Sequence, residues 1–344
     1  MSKVFASRLF WPVVMLLVLF AINLIAFPGF FSIEVKNGHL FGSLVDIVRN
    51  GAPTLIIAVG MTLVIATRGI DLSVGAICAI AGAVACSIIL GSDNPGSVLT
   101  VVVAVTVAIL ISLVLGVWNG FLIAVLGIQP IIATLILMTA GRGVAMLITE
   151  GQILTVNSPP FKVIGSGFVF GLPVAAIIAA VIFTLAALLT RRTALGLLIE
   201  SVGINPEASR QAGVRSRGLL FTVYTFCALC AAIAGLILTS NQTAADANNT
   251  GLFIELDAIL AVVIGGTSLA GGRYSLLGTL VGALVIQTLV TTVYTVGIPP
   301  IATMVFKAAV VTVVCLLQSP TTNAAFTRWR HALTANSRKD AVAS

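Results

Sequence analysis

Residues 191–217 read RRTALGLLIESVGINPEASRQAGVRSR. Five of the chain's 18 basic residues, Arg191, Arg192, Arg210, Arg215 and Arg217, lie there, between apolar runs long enough to cross a bilayer. The stretch also holds a complete short-helix signature. Asn205 is a good N-cap, Pro206 suits the first helical position, and Glu207 favours the positive end of the helix dipole. Seven residues after Pro206, Gly213 can adopt the left-handed conformation that ends a helix. A two-turn helix is therefore predicted just outside the lipid, on the basic side of a membrane protein.

The rest of the composition agrees with a membrane. Of 344 residues, 59% are hydrophobic and 8% charged, against about 25% charged in an ordinary soluble domain. No soluble core can hide that much apolar side chain, so membrane lipid must solvate most of it. The net charge of +7 does not call for a nucleic-acid partner, because the basic residues cluster at span ends and in blocks. Lys3 and Arg8 precede the apolar run Leu9–Phe27; with no small-residue cleavage site after it, this is read as a retained first helix. Cys78, Cys86, Cys227, Cys230 and Cys315 all fall in apolar runs, so Cys227-x-x-Cys230 is read as a packing face rather than a redox or metal motif.

Apolar runs at 9–27, 52–67, 72–91, 98–126, 130–148, 173–190, 218–240, 254–271, 275–297 and 302–318 predict an all-α integral membrane fold of about ten crossings. Several are shorter than the ~20 residues of a full crossing, which predicts broken or tightly paired helices. Charge checks the count. With Lys3 and Arg8 cytoplasmic, six crossings put 191–217 inside, and four more put Arg328, Arg330, Arg338 and Lys339 inside. Both termini are then cytoplasmic. Residues 1–320 form one transmembrane domain, and 321–344 form a short basic tail. Three polar stretches fall outside: Pro28–Asp46, Glu150–Gly171 and Asn241–Leu252.

An internal echo marks two of the breaks. Arg68-Gly69 with Gly75, in RGIDLSVG, repeats the spacing of Gly271-Gly272 with Gly278, in GGRYSLLG. Paired interrupted segments of this kind point to a substrate path. Small residues four apart (Gly75, Ala79 and Ala83; Gly278 and Gly282) permit close helix packing.

Catalysis has little to work with. His39 and His331 lie outside every span, which leaves no intramembrane histidine for a nucleophile or a metal site. There is no G-x-x-x-x-G-K-[ST], so the chain has no P-loop for ATP and no cofactor is expected. Intramembrane polar groups are costly and face a cavity or a partner. Asp71 and Ser73 could cap the helix beginning at Leu72, with Arg68 as counter-ion, or line a polar break beside the path; the two roles are compatible. Asn119 lies in an apolar run. Arg142, about 18 Å up a helix from Pro130, sits towards the outer face and reads as an ion-pair partner or a pore residue. Glu255 and Asp257 begin the eighth span from outside, where carboxylates suit a helix N-terminus. With Asp246, Asn248 and Asn249 they would form an external polar rim: a solvated loop, or else a docking surface or the mouth of a sugar path, since sugars are bound by hydrogen-bonding side chains.

Glu207-Ala208-Ser209 followed by Gly213 resembles the E-A-A-x-x-x-G loop of ABC importer permeases. ALGLLIESVGINPEASRQAGV, IATRGIDLSVGAICAIAGA and ELDAILAVVIGGTSLAGGRYSLLGTLVGAL resemble, in order, signatures of the ribose-type sugar permeases, over nearly the whole chain. FGSLVDIVRNGAP and ADANNTG are most similar to the galactofuranose branch of that family. Arg68 departs from the family's usual Gly before GIDLSVG, and Ser209 replaces the second Ala of E-A-A.

The resemblance implies an inner-membrane permease subunit of an ATP-driven importer of a monosaccharide, pentose or furanose-form hexose. It implies a second permease, identical or related, a cytoplasmic ATPase that binds the ATP, and a periplasmic sugar-binding protein. Asn205, Pro206, Glu207, Ala208, Ser209 and Gly213 would be the ATPase-coupling residues. Arg68, Asp71, Ser73, Asn119, Arg142, Asp246, Asn249, Glu255 and Asp257 are the candidates for the path. The alternative, an ion-gradient-driven secondary transporter, needs coupling carboxylates at the midplane, and Asp71 alone is a fair candidate.

Overall fold

The computed structural model describes residues 9–36, 38–299 and 302–318; Lys3, Arg8 and the 321–344 tail lie outside the described residues. Nearly every apolar run becomes a helix. In order these are α1 (Phe10–Ala26), α2 (Ser43–Ala66), α3 (Val74–Leu90), α4 (Val98–Ala124), α5 (Pro130–Ile148), α6 (Pro159–Ser166) and α7 (Val174–Arg192). Then follow α8 (Leu195–Ile204), α9 (Pro206–Gln211), α10 (Ser216–Gln242), α11 (Ile254–Ile264), α12 (Leu276–Thr295) and α13 (Thr303–Gln318). Among the described residues six helices, α2, α4, α5, α7, α10 and α12, are long and apolar enough to cross a membrane. The remaining expected crossings are the shorter helices α1, α3, α11 and α13, of 17, 17, 11 and 16 residues. The chain is a multi-pass membrane protein.

Two boundaries differ from the hydropathy reading. α2 starts at Ser43 rather than near residue 52, because SLVDIVRNG continues the helix outward with Asp46 in its first turn. α11 stops at Ile264 rather than 271. Gly266, at φ 84°, turns the chain left-handed, and its N–H and that of Thr267 bond back to the carbonyls of Val263 and Val262.

α10 is the central post, packed against α4, α2 and α3, while α12 packs on α2, α11 and α1. α3 is enclosed at nearly every position, but α4, α5 and α7 turn Leu99, Val114, Leu147 and Leu185 outward. In water that would be a sticky surface; facing lipid it costs nothing. Cys78, Cys86, Cys227 and Cys230 are buried and unbridged. A Cβ on Gly60 of α2 would come 2.9 Å from Cys227 Cα and 3.3 Å from Cys230 Cβ, so the C-x-x-C turn is a close-packed helix face.

The three polar stretches meet at one end of the bundle. β1 (Glu34–Lys36) pairs antiparallel with β2 (His39–Phe41), and His39 stacks on Phe168 with ring centroids 4.7 Å apart. Leu40 N–H donates to Gly171 O at 3.1 Å. β3 (Leu154–Thr155) pairs with β6 (Ala244–Ala245), which joins the second stretch to the third, and β4 (Phe168–Val169) forms a small hairpin with β5 (Leu172–Pro173). The arginine-rich stretch lies at the opposite end, beside the α2/α3 and α11/α12 breaks.

Candidate functional site

Helix α9 is short but closed at both ends. Asn205 Oδ1 accepts from the N–H groups of Glu207 (3.1 Å) and Ala208 (3.0 Å), and Pro206 sits in the first turn, where a missing N–H costs nothing. Gly213, at φ 85°, donates its N–H to Arg210 O, and Val214 donates to Ser209 O, both at 3.0 Å. With the bond from Ala212 N–H to Ala208 O, they satisfy three of the last four carbonyls of the helix. Ser209 is buried, whereas Pro206, Glu207, Ala208 and Arg210 are exposed. Glu207 does not turn back onto the helix start; it pairs with Arg210 at 2.7 Å on the outer face.

Directly beneath, three chain breaks touch. Gly272 N–H donates to Ala66 O at 2.9 Å, which joins the α11/α12 break to the end of α2. Gly203, near the end of α8, lies on the same spot: a Cβ there would stand 1.9 Å from Ala66 O. Arg68 completes the joint. It holds a left-handed φ of 65°, its Nε donates to Gly203 O at 2.6 Å, and its Nη2 donates to Ile204 O at 2.5 Å. The expected pairing of Arg68 with Asp71 is thereby corrected. The guanidinium is drawn instead to the negative end of α8, whose last carbonyls have no helical donor.

The other polar residues of this break form a buried group. Asp71 Oδ1 accepts from Ser73 N–H (3.0 Å) and Ser73 Oγ–H (2.6 Å), and Asn119 Nδ2 donates to Ser73 Oγ at 2.9 Å. All three are fully buried. Asp71 thus braces the residue before α3, and the expected cap by Ser73 is not formed, because its hydroxyl is spent on Asp71 and Asn119. Tyr224 of α10 brings its buried hydroxyl against Gly69, where a Cβ would stand 2.2 Å away.

The remaining candidates lie at the opposite end and do not make one rim. Among the described residues Arg142 forms no ion pair; its Nη1 donates to the carbonyls of Ala247 (2.9 Å) and Thr250 (2.7 Å) and clamps the 243–253 loop. Asp246 accepts from the N–H groups of Asn248 and Asn249 at 2.9 and 3.2 Å and from Asn249 Nδ2 at 2.7 Å. Glu255 is 3% exposed and wedged beside Gly75, so it is interior rather than rim. Asp257 faces α13, where Lys307 Nζ donates to both its oxygens at 2.7 and 2.8 Å. Separations of 105 and 108 residues for Arg142 and of 50 for Asp257 hide such partners from the sequence.

The Asp246 loop carries a pH dependence. The Asn249 amide above all, helped by the two backbone N–H groups and Arg142, holds the Asp246 carboxyl below the usual carboxylate range. A depressed folded value stabilises the loop above the unfolded value of about 4 and is lost as pH falls through the folded value. Protease cleavage within 243–253 should therefore stay slow from neutral pH to about pH 4 and accelerate below it. Asp246→Asn should flatten that dependence; an unchanged acid response in the variant would remove Asp246 as its source.

A bundle of short and long apolar helices, with the Asp71–Ser73–Asn119 group at one break and a self-capped helix at one end, is consistent with a membrane permease. The family model described as branched-chain amino acid transport system / permease component matches residues 43–315, and the chain belongs to that family. The chain is 50% identical to the galactofuranose transporter permease protein of Escherichia coli (strain K12), over 91% of both chains. It is 42% identical to the fructose import permease of Bifidobacterium longum (strain NCC 2705), over 93% of this chain and 90% of that one. It is 37% identical to the ribose import permease of Escherichia coli (strain K12), over 88% and 91%. No solved structure matches the chain.

Proposed function

We propose that this chain moves a furanose-form monosaccharide, of the galactofuranose kind, across a bacterial inner membrane when a cytoplasmic ATPase acts on α9. The chain is the membrane permease of an ABC sugar importer and not an enzyme; a separate ATPase hydrolyses the ATP. The 50% identity to a galactofuranose permease supports the choice of sugar. A periplasmic binding protein delivers it to the 28–46, 150–171 and 241–252 end, and a second permease completes the path. Ten crossings, a count that the six long apolar helices and the shorter ones support, would put α9 and both termini on the cytoplasmic side, with α9 as the coupling helix.

The observation that carries the mechanism is the Arg68–Gly203 joint. Closure of the ATPase pair presses on Ala208 and its exposed neighbours. α8 and α9 transmit that push to Ala66 and Gly272, the ends of both broken-helix pairs. The breaks then tilt together, moving the Asp71–Ser73–Asn119 group between outward- and inward-facing arrangements. The test is uptake of labelled galactofuranose into proteoliposomes with the partner ATPase and binding protein. It should need both partners and ATP. Uptake that persists without ATPase, and collapses when a proton gradient is dissipated, would instead assign the chain to secondary transport.

Two substitutions probe α9 itself. Gly213→Pro removes the N–H that closes the helix and demands φ near −65° where the chain holds 85°. Ala208→Trp obstructs the contact face. Each should reduce uptake to background while membrane insertion stays normal. Wild-type uptake in either, with normal ATPase stimulation, would remove α9 from the coupling path.

A further inference from the structure

We propose that the groove between α7 and α12 is a phospholipid site, selective for a headgroup that pairs a phosphate with a primary ammonium. α2 packs against both helices, whose backbones stay apart while Ala186 and Leu276 meet over Val59, so α2 floors a groove between them. At the α8 end lies a polar cavity of about 290 Å³, lined by Thr190, Arg191, Glu200, Tyr274 and Ser275. Further along the same walls is an apolar cavity of about 260 Å³, lined by Leu55, Ala176, Phe183, Thr184 and Leu284.

The spacing suits a lipid. Thr184 and Ala176 lie seven and fifteen residues before Arg191 on α7, which places the apolar cavity ~10 to ~22 Å from the arginine. One leaflet, about half of a hydrocarbon core ~30 Å thick, brings an acyl chain into the nearer part of that cavity, beside Thr184 and Phe183. The occupant must be apolar along its length and polar only at the mouth.

The mouth sets the headgroup. It carries one charge of each sign, Arg191 and Glu200, and neither is in an ion pair among the described residues. A simple anion would meet the Glu200 carboxylate, and a simple cation would meet the Arg191 guanidinium. A zwitterion satisfies both: its phosphate accepts from Arg191, and its ammonium donates to Glu200 and the Tyr274 hydroxyl. A quaternary ammonium has no N–H to donate, and a glycerol headgroup has no cation. The inference needs only that α7 cross the bilayer, so its failure and that of the importer reading can be told apart.

Native mass spectrometry of the permease–ATPase complex, released from mixed-lipid nanodiscs and delipidated stepwise, tests this directly. Phosphatidylethanolamine should be the last lipid retained, about tenfold over phosphatidylcholine and phosphatidylglycerol. Glu200→Gln should erase the preference over phosphatidylcholine, and Arg191→Gln should lower retention of all three. Ala180→Trp, which fills the apolar cavity, should release the lipid without touching the mouth. Equal retention of the three lipids by the wild type overturns the proposal, as does an unchanged preference in Glu200→Gln. A disulfide between two copies carrying Phe183→Cys would assign the groove to a second chain and also overturn it.

Discussion

Gly203→Ala is expected to abolish uptake, by about two orders of magnitude, while leaving the protein in the membrane. The added methyl would stand 1.9 Å from Ala66 O, 2.5 Å from Gly272 N and 3.0 Å from Gly272 Cα. All three are backbone atoms, so no side chain can rotate out of the way. The first two make the 2.9 Å hydrogen bond that joins the two breaks. α8 must lift off, which costs on the order of 1–3 kcal/mol of overpacking and separates α9 from the helices it moves. Labelled-sugar uptake in proteoliposomes, set beside ATP hydrolysis in the same vesicles, reads the effect. Hydrolysis should continue while uptake stops. Wild-type uptake in Gly203→Ala would show that the joint does not transmit the stroke.

Arg68→Gly is expected to uncouple the machine without weakening it. The wild-type residue holds a left-handed backbone, which costs a non-glycine residue roughly 1–2 kcal/mol, and glycine removes that cost. The two bonds to Gly203 O and Ile204 O are lost in exchange, and because Arg68 is exposed, solvent discounts their worth. Thermal stability should stay within about 1 kcal/mol of wild type, while sugar moved per ATP falls about tenfold. Arg68→Ala should be the less stable of the two, since it loses the bonds and keeps the strained backbone. Arg68→Lys keeps one donor and should recover part of the coupling. Equal sugar-to-ATP ratios in all four proteins would reduce Arg68 to a passive cap.

The pattern of what could be read beforehand follows the range of the forces involved. Asn205, Pro206 and Gly213 were readable because each acts on backbone within a few residues of itself. The apolar runs were readable because a bilayer imposes a length. Arg68 was conspicuous in the sequence, yet its partners lie 135 and 136 residues away and are carbonyls, which no residue type announces. Its nearest carboxylate in sequence, Asp71, is turned to Ser73 instead. The Arg68-Gly69 and Gly271-Gly272 echo marked both halves of the joint without showing that they touch. Gly203, within LLIESVGIN, carried no signal at all, since only tertiary packing makes it intolerant of a methyl group. Asp257 and Lys307 were separated in the same way, their pairing set by how α11 and α13 lie together.

Because α9 satisfies its own first N–H groups through Asn205 and three of its last four carbonyls through Ala212, Gly213 and Val214, its shape does not depend on a docked partner. Association therefore orders little chain, and a contact only six residues long can spend its interaction energy on grip rather than on folding. An ATPase could release and recapture such a knob without the permease losing its form.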